Sequence, residues 1–395
     1  MGNKVLGYDY DIEKDMLAVA FPVNLSRKKR SVRVEPNLTL NDVEKLRSRT
    51  LTKRILLGVV NGFGEFLGIA SPFTIKVKVL MRQLFLLEWS RSDWVSLIVE
   101  ALEAGKLPFP RCTRPAEALP GIGPTVVGFS DFGQFGYEAR VYLRWQLAGS
   151  EERHAARLSL CKARVPPLRG LTVPRGELTA LTLQSRLVLA VVIALQKLEA
   201  PPLWSIMMAD SKCAISSVKS TRSLLPYFQN RVAEVKENMG QIGKYCTIED
   251  VKYVESSLNP SDLSTKATAM VSELGPDSFH QTGPDFLSFP RDSWPVADHF
   301  EPVDIPEDEF RVRDKLVFAA AARFNFCHSE IHQSNPWKVV EELLQYSNNL
   351  QKVIRIVARY LRGLEAGLRK NTEMKINNPV AYTLVAASHF TLQTN

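Results

Sequence analysis

The chain has 395 residues, 45% of them hydrophobic and 23% charged, with 50 Lys and Arg against 42 Asp and Glu for a formal charge of +8. Such a length exceeds what one hydrophobic core usually supports, so two or three soluble, globular domains are expected. The basic excess suits a polyanionic partner without proving one. Five scattered cysteines (Cys112, Cys161, Cys213, Cys246 and Cys327) include no CxxC pair, which argues against a disulfide framework and for reduced thiols inside a cell, cytoplasmic or nuclear. The opening MGNKVLGYDYDIEKD lacks the apolar centre of a signal peptide, and the longest apolar run, Leu187 to Leu195, is too short for a bilayer. Leu6 stands where a myristoylation signal prefers Ser or Thr, so neither a membrane span nor a lipid anchor is expected.

Residues 1–105 begin polar and turn-rich, then give a helical pattern from Asp42 to Val60, the Gly-rich NGFGEFLGIASPF, and a second helix from about Thr74 to Glu88. The basic run Arg27 to Arg30 reads as a solvated loop in preference to a nuclear signal or a phosphate contact. Residues 106–122, with four prolines, form the clearest linker, and a new domain is expected after it.

Over residues 123–290 the pattern changes to strands: TVVGFSD, EARVYLRWQL and ARLSLCKARV, spaced as an antiparallel meander. A long helix is expected from about Gly176 to Leu198, apolar nearly all round and therefore buried. A short strand LWSIMMAD, a Ser-rich helix start, a helix through FQNRVAEVKENM, a last strand near DVKYVES and the loop LNPSDLSTKA follow. This order predicts an α/β fold, a mixed β-sheet flanked by helices. Residues 291–395 read as an extended acidic connector, RDSWPVADHFEPVDIPEDEF, followed by a helical tail. Cys327, His328 and His332 lack a second cysteine pair and read as a surface cluster in preference to a zinc site.

Four carboxylates stand out. Asp131 ends the strand GFSD, where its side chain is expected to project from the sheet's edge, and Asp210 ends MMAD in the same way. Glu177 follows Pro174 in what reads as the first turn of the long helix, and Asp262 follows NPS in a turn that should begin a short helix. Gathered together, these groups would repel one another and hold protons unless a cation neutralised them. Mg²⁺ suits such a hard oxygen set, and two ions together can promote phosphodiester hydrolysis. A single Asp after a strand is ordinarily a turn residue or helix cap, and spacing alone leaves that choice open.

From about Gly7 to Pro295 the chain resembles the pol polyprotein of BEL/Pao-type LTR retrotransposons, from the tail of the reverse transcriptase through its RNase H domain. The matching stretches are GYDYDIEKD, LTKRILLGVVNGFGEFLGIASPFTIKVKVLMRQLF, FPRC, GFSDFGQFGYEARVYLRW, CKARVPPL, TVPRGEL, ADSKCAI, FQNRV, SLNPSDLSTKA and GPDFLSFPRDSWP, in collinear order. The resemblance implies an RNase H-like domain at 123–290, a helical reverse-transcriptase connection segment at 1–105, and a connector with no integrase at 291–395. It places the family's acidic set on Asp131, Glu177, Asp210 and Asp262, with Mg²⁺, or Mn²⁺, as cofactor and an RNA–DNA hybrid as substrate. A polymerase subunit or a host protein is a further candidate partner. Neither a YxDD motif nor an aspartic-protease triplet is present, so polymerisation and proteolysis are not expected.

Three departures touch the site. Phe132 and Gly133 follow the first Asp where the family has a small residue and Ser, and PRGEL puts Gly176 before Glu177, a helix position where Gly costs up to about 1 kcal/mol. Ala209 stands where a hydroxyl is common. These changes leave open a catalytically inactive or repurposed fragment that binds nucleic acid or a protein. Lys162, Arg164, Arg169, Arg175 and Arg231 could follow a phosphate backbone, or serve as structural ion pairs.

Overall fold

The computed structural model describes residues 3–5, 7–20, 39–48, 57, 67–86, 91–149, 153–221 and 224–297. The basic run at 27–30, most of the second half of the helix expected over 42–60, the cluster of Cys327, His328 and His332, and the C-terminal helices lie outside these residues.

The N-terminal part, read from sequence as helical after a turn-rich start, also contains a sheet. Strands β1 (Asn3–Val5), β2 (Tyr8–Asp11), β3 (Met16–Val19) and β4 (Phe109–Pro110) pair antiparallel in that order. In the β2–β3 turn, Asp11 Oδ1 accepts the amides of Glu13 at 3.1 Å and Lys14 at 3.2 Å, and Asp15 adopts φ 51°. Strands of three or four residues are too short for alternation to stand out in a sequence. The proline-rich segment 106–122 is tied down. It supplies β4, Arg111 Nη2 donates to Asp15 Oδ2 at 3.0 Å, and Leu119 N donates to Gln146 O at 2.9 Å.

Helix α1 (Leu40–Ser48) begins with Thr39 and Asp42 capping each other, the Thr39 hydroxyl donating to Asp42 Oδ2 at 2.6 Å. α2 (Ser71–Leu86) and α3 (Arg91–Ala104) follow, the latter not anticipated. Phe73, Val77 and Met81 of α2 and Trp94 and Leu97 of α3 share a core with Tyr8, Val19 and Phe109 of the small sheet.

In the main sheet, β5 (Thr125–Phe132), β6 (Tyr137–Gln146) and β7 (His154–Arg164) form the expected antiparallel meander. β8 (Trp204–Ala209) runs parallel to β5, β9 (Thr247–Ile248) and β10 (Lys252–Val254) run parallel to β8, and β11 (Val296–Ala297) closes the edge antiparallel to β10. The order is β11-β10-β8-β5-β6-β7. The mixed α/β architecture is thus the expected one. β5 is buried on both faces, which is why it reads as a continuous apolar run.

One face of this sheet is covered by α4 (Val173–Lys197), α5 (Lys212–Lys219) and α6 (Pro226–Ile242), with Val126, Val141 and Leu143 meeting Leu181, Val188 and Val192. α4 is long and apolar enough to cross a membrane by length and composition, but 67% of its most apolar window is buried inside the molecule. On the other face Phe129, Tyr142 and Met208 meet Phe286, Leu287 and Trp294. The stretch expected to open an extended acidic connector therefore begins differently: Trp294 is buried and Val296–Ala297 joins the sheet. Two short helices, α7 (Asp262–Thr265) and α8 (Phe279–Thr282), lie between β10 and β11.

Candidate metal and nucleic-acid site

Ser130 of β5 lies opposite Ala209 of β8 in parallel register, so the residues that follow, Asp131 and Asp210, emerge side by side. β5 lies between β6 and β8, and Asp131 is 5% exposed, so it occupies a buried central strand end and not the sheet's edge as expected. α4 crosses this end. It starts three residues earlier than the sequence suggests, at Val173, because Pro174 in the first turn has no amide to leave unpaired. Glu177 consequently sits beyond the first turn. One oxygen each from Asp131, Glu177 and Asp210 all lie within 4.8 Å of one another.

Asp262 opens α7 as expected but is not one of this close group. Its Oδ2 accepts from Lys266 Nζ at 2.6 Å, while its charge still pushes up the carboxyls of the other three. Burial is the largest influence on all three. Asp131 is pushed up to about 7 by burial and then by the charge of Asp210, against the hydrogen bond from Thr265. Glu177 is pushed up to about 9 by burial and then by Asp131, Asp210 and Asp262. Asp210 is raised by burial, tempered by hydrogen bonds from Ser256 and Asn259, and its Oδ1 is buried with no hydrogen-bond partner among the described residues. Three crowded, proton-holding carboxylates with an unpaired oxygen form a donor set suited to a divalent cation.

Residues 52–205 match the family model described as the Pao retrotransposon-like RNaseH-like domain. The chain carries a Pao retrotransposon-like RNase H-like domain. Among solved structures, the N-terminal RNase H domain of a Mycobacterium tuberculosis protein, fused to maltose-binding protein, is 14% identical, with 37% of this chain and 94% of that chain covered at a TM-score of 0.25. RNase H1 from the archaeon Halobacterium salinarum NRC-1 is 11% identical, with 36% and 96% covered at a TM-score of 0.21. At these scores the likeness carries no argument, and the fold assignment rests on the strand order and the family match. A comparison with curated proteins gives no match.

Within the RNase H-like domain, side chains not anticipated from sequence hold the carboxylates. Thr265 donates its hydroxyl to Asp131 Oδ2. Asn259 Nδ2 donates to Ser130 O at 2.9 Å, and its Oδ1 accepts from Ser261 N at 3.2 Å, pinning the NPSD loop to β5. Gln184, fully buried in α4, accepts from Ser130 Oγ at 3.0 Å and donates to Met208 O at 3.0 Å. It thereby locks the helix across β5 and β8. The signal for Gln184 was present as a polar residue inside an apolar helix, whereas Asn259 and Thr265 lie inside a motif noticed only for its acid.

Of the departures near the acids, Phe132, Gly133 and Gly176 sit in tight packing contacts. A Cβ at Gly176 would overlap the ring of Phe132, nearly equidistant from Cγ, Cδ1 and Cδ2, so the ring lies face-on over the helix backbone. A Cβ at Gly133 would come within 2.9 Å of Thr265, the residue that bonds Asp131. Phe132 therefore packs beneath the helix start, and Gly176 is the space it needs.

The five basic candidates fall in different places. Lys162 and Arg164 are exposed on β7, an outer strand, and Arg169 is exposed in the loop before α4. Arg175 and Arg231 both stack on Tyr227, at 5.1 Å and 3.5 Å from the ring centroid. Thr179, two residues past Glu177, links the pair: its hydroxyl lies 2.9 Å from Tyr227 Oη and accepts from Arg231 Nε at 3.0 Å.

Proposed function

We propose that this domain is an RNase H-type endonuclease that hydrolyses the RNA strand of RNA–DNA hybrids, using divalent cations, Mg²⁺ or Mn²⁺, held by Asp131, Glu177 and Asp210 with Asp262 completing the set. The observation that carries this reading is the convergence of three carboxylates, Asp131 buried and Glu177 and Asp210 half-buried, that hold protons unless a cation takes their place. Bound cations would supply an activated water and stabilise the leaving oxygen of the phosphodiester. The protein's own part is positional. Thr265 fixes the rotamer of Asp131, Gln184 fixes α4 against the strands that carry both aspartates, and Asn259 holds the loop leading to Asp262. Lys266 balances Asp262 by ion pairing.

For substrate, the stacked Arg175 and Arg231 and the exposed Lys162, Arg164 and Arg169 suit phosphate contacts along a duplex, and cleavage confined to RNA would follow from sensing 2′-hydroxyls. We read the segment before residue 106 as a reverse-transcriptase connection, with a polymerase subunit or host protein as a candidate partner. The alternative of an inactive binding fragment drew on Phe132, Gly133 and Gly176. What supports activity over it is that these residues fill matched space next to the acids.

The test is cleavage of a labelled hybrid. The full chain should cut the RNA strand with Mg²⁺ or Mn²⁺, stop with EDTA, and lose turnover in Asp210→Asn. A purified, folded protein that leaves the hybrid intact with both metals would defeat the enzymatic reading, and salt-sensitive binding without turnover would favour the alternative.

A further inference from the structure

A half-open cavity of about 340 Å³ is lined among others by Arg82, Phe132, Gln134, Pro166, Leu171 and Val173. Its walls bring together distant parts of the chain. Arg82 comes from α2 in the N-terminal part, Phe132 directly follows Asp131, and Val173 opens α4 one turn before Glu177. The ring of Phe132 is held in place by its face-on contact with Gly176. Arg82 Nη2 donates to Pro167 O at 3.1 Å and Leu168 O at 3.4 Å, which orients the guanidinium while leaving Nε and Nη1 without partners among the described residues. The start of α4 adds the positive end of a 25-residue helix to the same wall.

An aromatic ring, an oriented and only partly used guanidinium, and a helix start around a space of nucleotide dimensions share one complementary ligand class. We propose that this cavity is a nucleotide subsite of the RNase H-like domain. Arg82 takes a phosphate of the bound strand and Phe132 the sugar or base of the nucleotide beside the one presented to the acids. The inference rests on the nuclease reading for the identity of the strand and goes beyond it in assigning substrate contact to Arg82, outside the sheet that carries the acids. A single aromatic contact is sequence-tolerant, since every base has an apolar face, so the subsite would position the strand without selecting a base.

The experiment is fluorescence anisotropy of a labelled RNA–DNA hybrid in EDTA, across a series of NaCl concentrations. It uses the full-length wild type, Arg82→Ala, Arg82→Gln and Phe132→Leu, with thermal melts as a folding control. Loss of one phosphate contact should flatten the slope of log Kd against log salt by about one in both Arg82 variants. Arg82→Gln keeps a donor for the Pro167 and Leu168 carbonyls, so a purely structural Arg82 would be rescued by it. Phe132→Leu should weaken binding about fivefold with the slope unchanged. Should Arg82→Gln keep the wild-type slope, or all three variants bind as wild type does, the subsite is refuted while hybrid cleavage by the wild type would still uphold the nuclease. If the wild type binds hybrid without cutting it, the nuclease fails and the salt slopes still decide the subsite. If it does not bind hybrid at all, both fall.

Discussion

At the residue scale, the electrostatic burden of the site falls on Asp131 and Glu177. Their ordinary values are 3.8 and 4.5, and in the folded chain they are pushed up to about 7 and about 9. A carboxyl with a raised folded pKa binds its proton more tightly when folded than when unfolded. The metal-free fold is therefore favoured at low pH by these groups, and that favour is lost as pH rises from their ordinary values through the folded ones. Thermal melts in EDTA should show the melting temperature falling between about pH 4 and pH 9. Mg²⁺ or Mn²⁺ should restore stability at the alkaline end, and Asp131→Asn should raise the metal-free melting temperature at pH 8. A melting temperature that is flat with pH in EDTA would mean the carboxyls are not crowded as described. The identity of these acids was legible in the sequence, because residue type and strand-end placement are local properties. Their protonation was not, since it depends on how closely three distant segments approach one another.

At the scale of elements, the strand end at Phe132 and the helix start at Gly176 act as one joint. Read singly from sequence, the bulky residue threatened the site and the glycine loosened a helix. In three dimensions the glycine accommodates the ring, so each departure makes the other tolerable. Gly176→Leu alone should collide with the ring and reduce both stability and hybrid cleavage, and Phe132→Ala alone should leave a gap under the helix start and lower stability by less than the roughly 3–5 kcal/mol of a fully buried ring. The double variant Phe132→Ala/Gly176→Leu should recover part of both losses, with a coupling of about 1–3 kcal/mol by denaturant melts. Strict additivity of the two changes would show that they do not form a pair. The helix itself was legible from its apolar run. Its start was not, because Pro174 reads equally well as a preceding breaker and as a first-turn residue.

At the scale of the whole molecule, the RNase H-like sheet leans on the segment before it. Leu67 O accepts from Cys161 N of β7 at 2.8 Å, Gly68 lies so close that a Cβ would overlap the Cys161 carbonyl, and Lys78 Nζ donates to Ala163 O at 3.2 Å. Beneath this contact runs a buried polar network. Arg140 donates to Glu138 Oε1 at 2.8 Å, and its Nη1 lies 3.0 Å from His280 Nδ1. His280 Nε2 lies 2.6 Å from Ile69 O. A carbonyl can only accept, so Nε2 carries the proton and Nδ1 accepts from Arg140. This neutral form agrees with burial pushing His280 down to about 3. A fragment beginning at residue 123 would strip Ile69 O from His280 and uncover β7, losing hydrogen bonds worth about 0.5–1.5 kcal/mol each. It should melt well below a fragment spanning residues 67–297, as followed by circular dichroism. Equal melting temperatures would show that the sheet does not depend on the preceding segment.

Alone, the sequence determined the order of the main elements between residues 123 and 290, the meander, the long helix and the strand after it, and which acids stand at their ends. Those follow from periodicity, turn residues and side-chain chemistry within short windows. Tertiary structure alone decided that Asp131, Glu177 and Asp210 converge while Asp262 stands beside them paired to Lys266. It also decided that Phe132 and Gly176 fit each other, that the short strands at the N-terminus pair at all, and that Arg82 and Phe132 line one cavity. Each of these depends on the distance and shape match between residues far apart in the chain, which pairing register and close packing set and which no local pattern records.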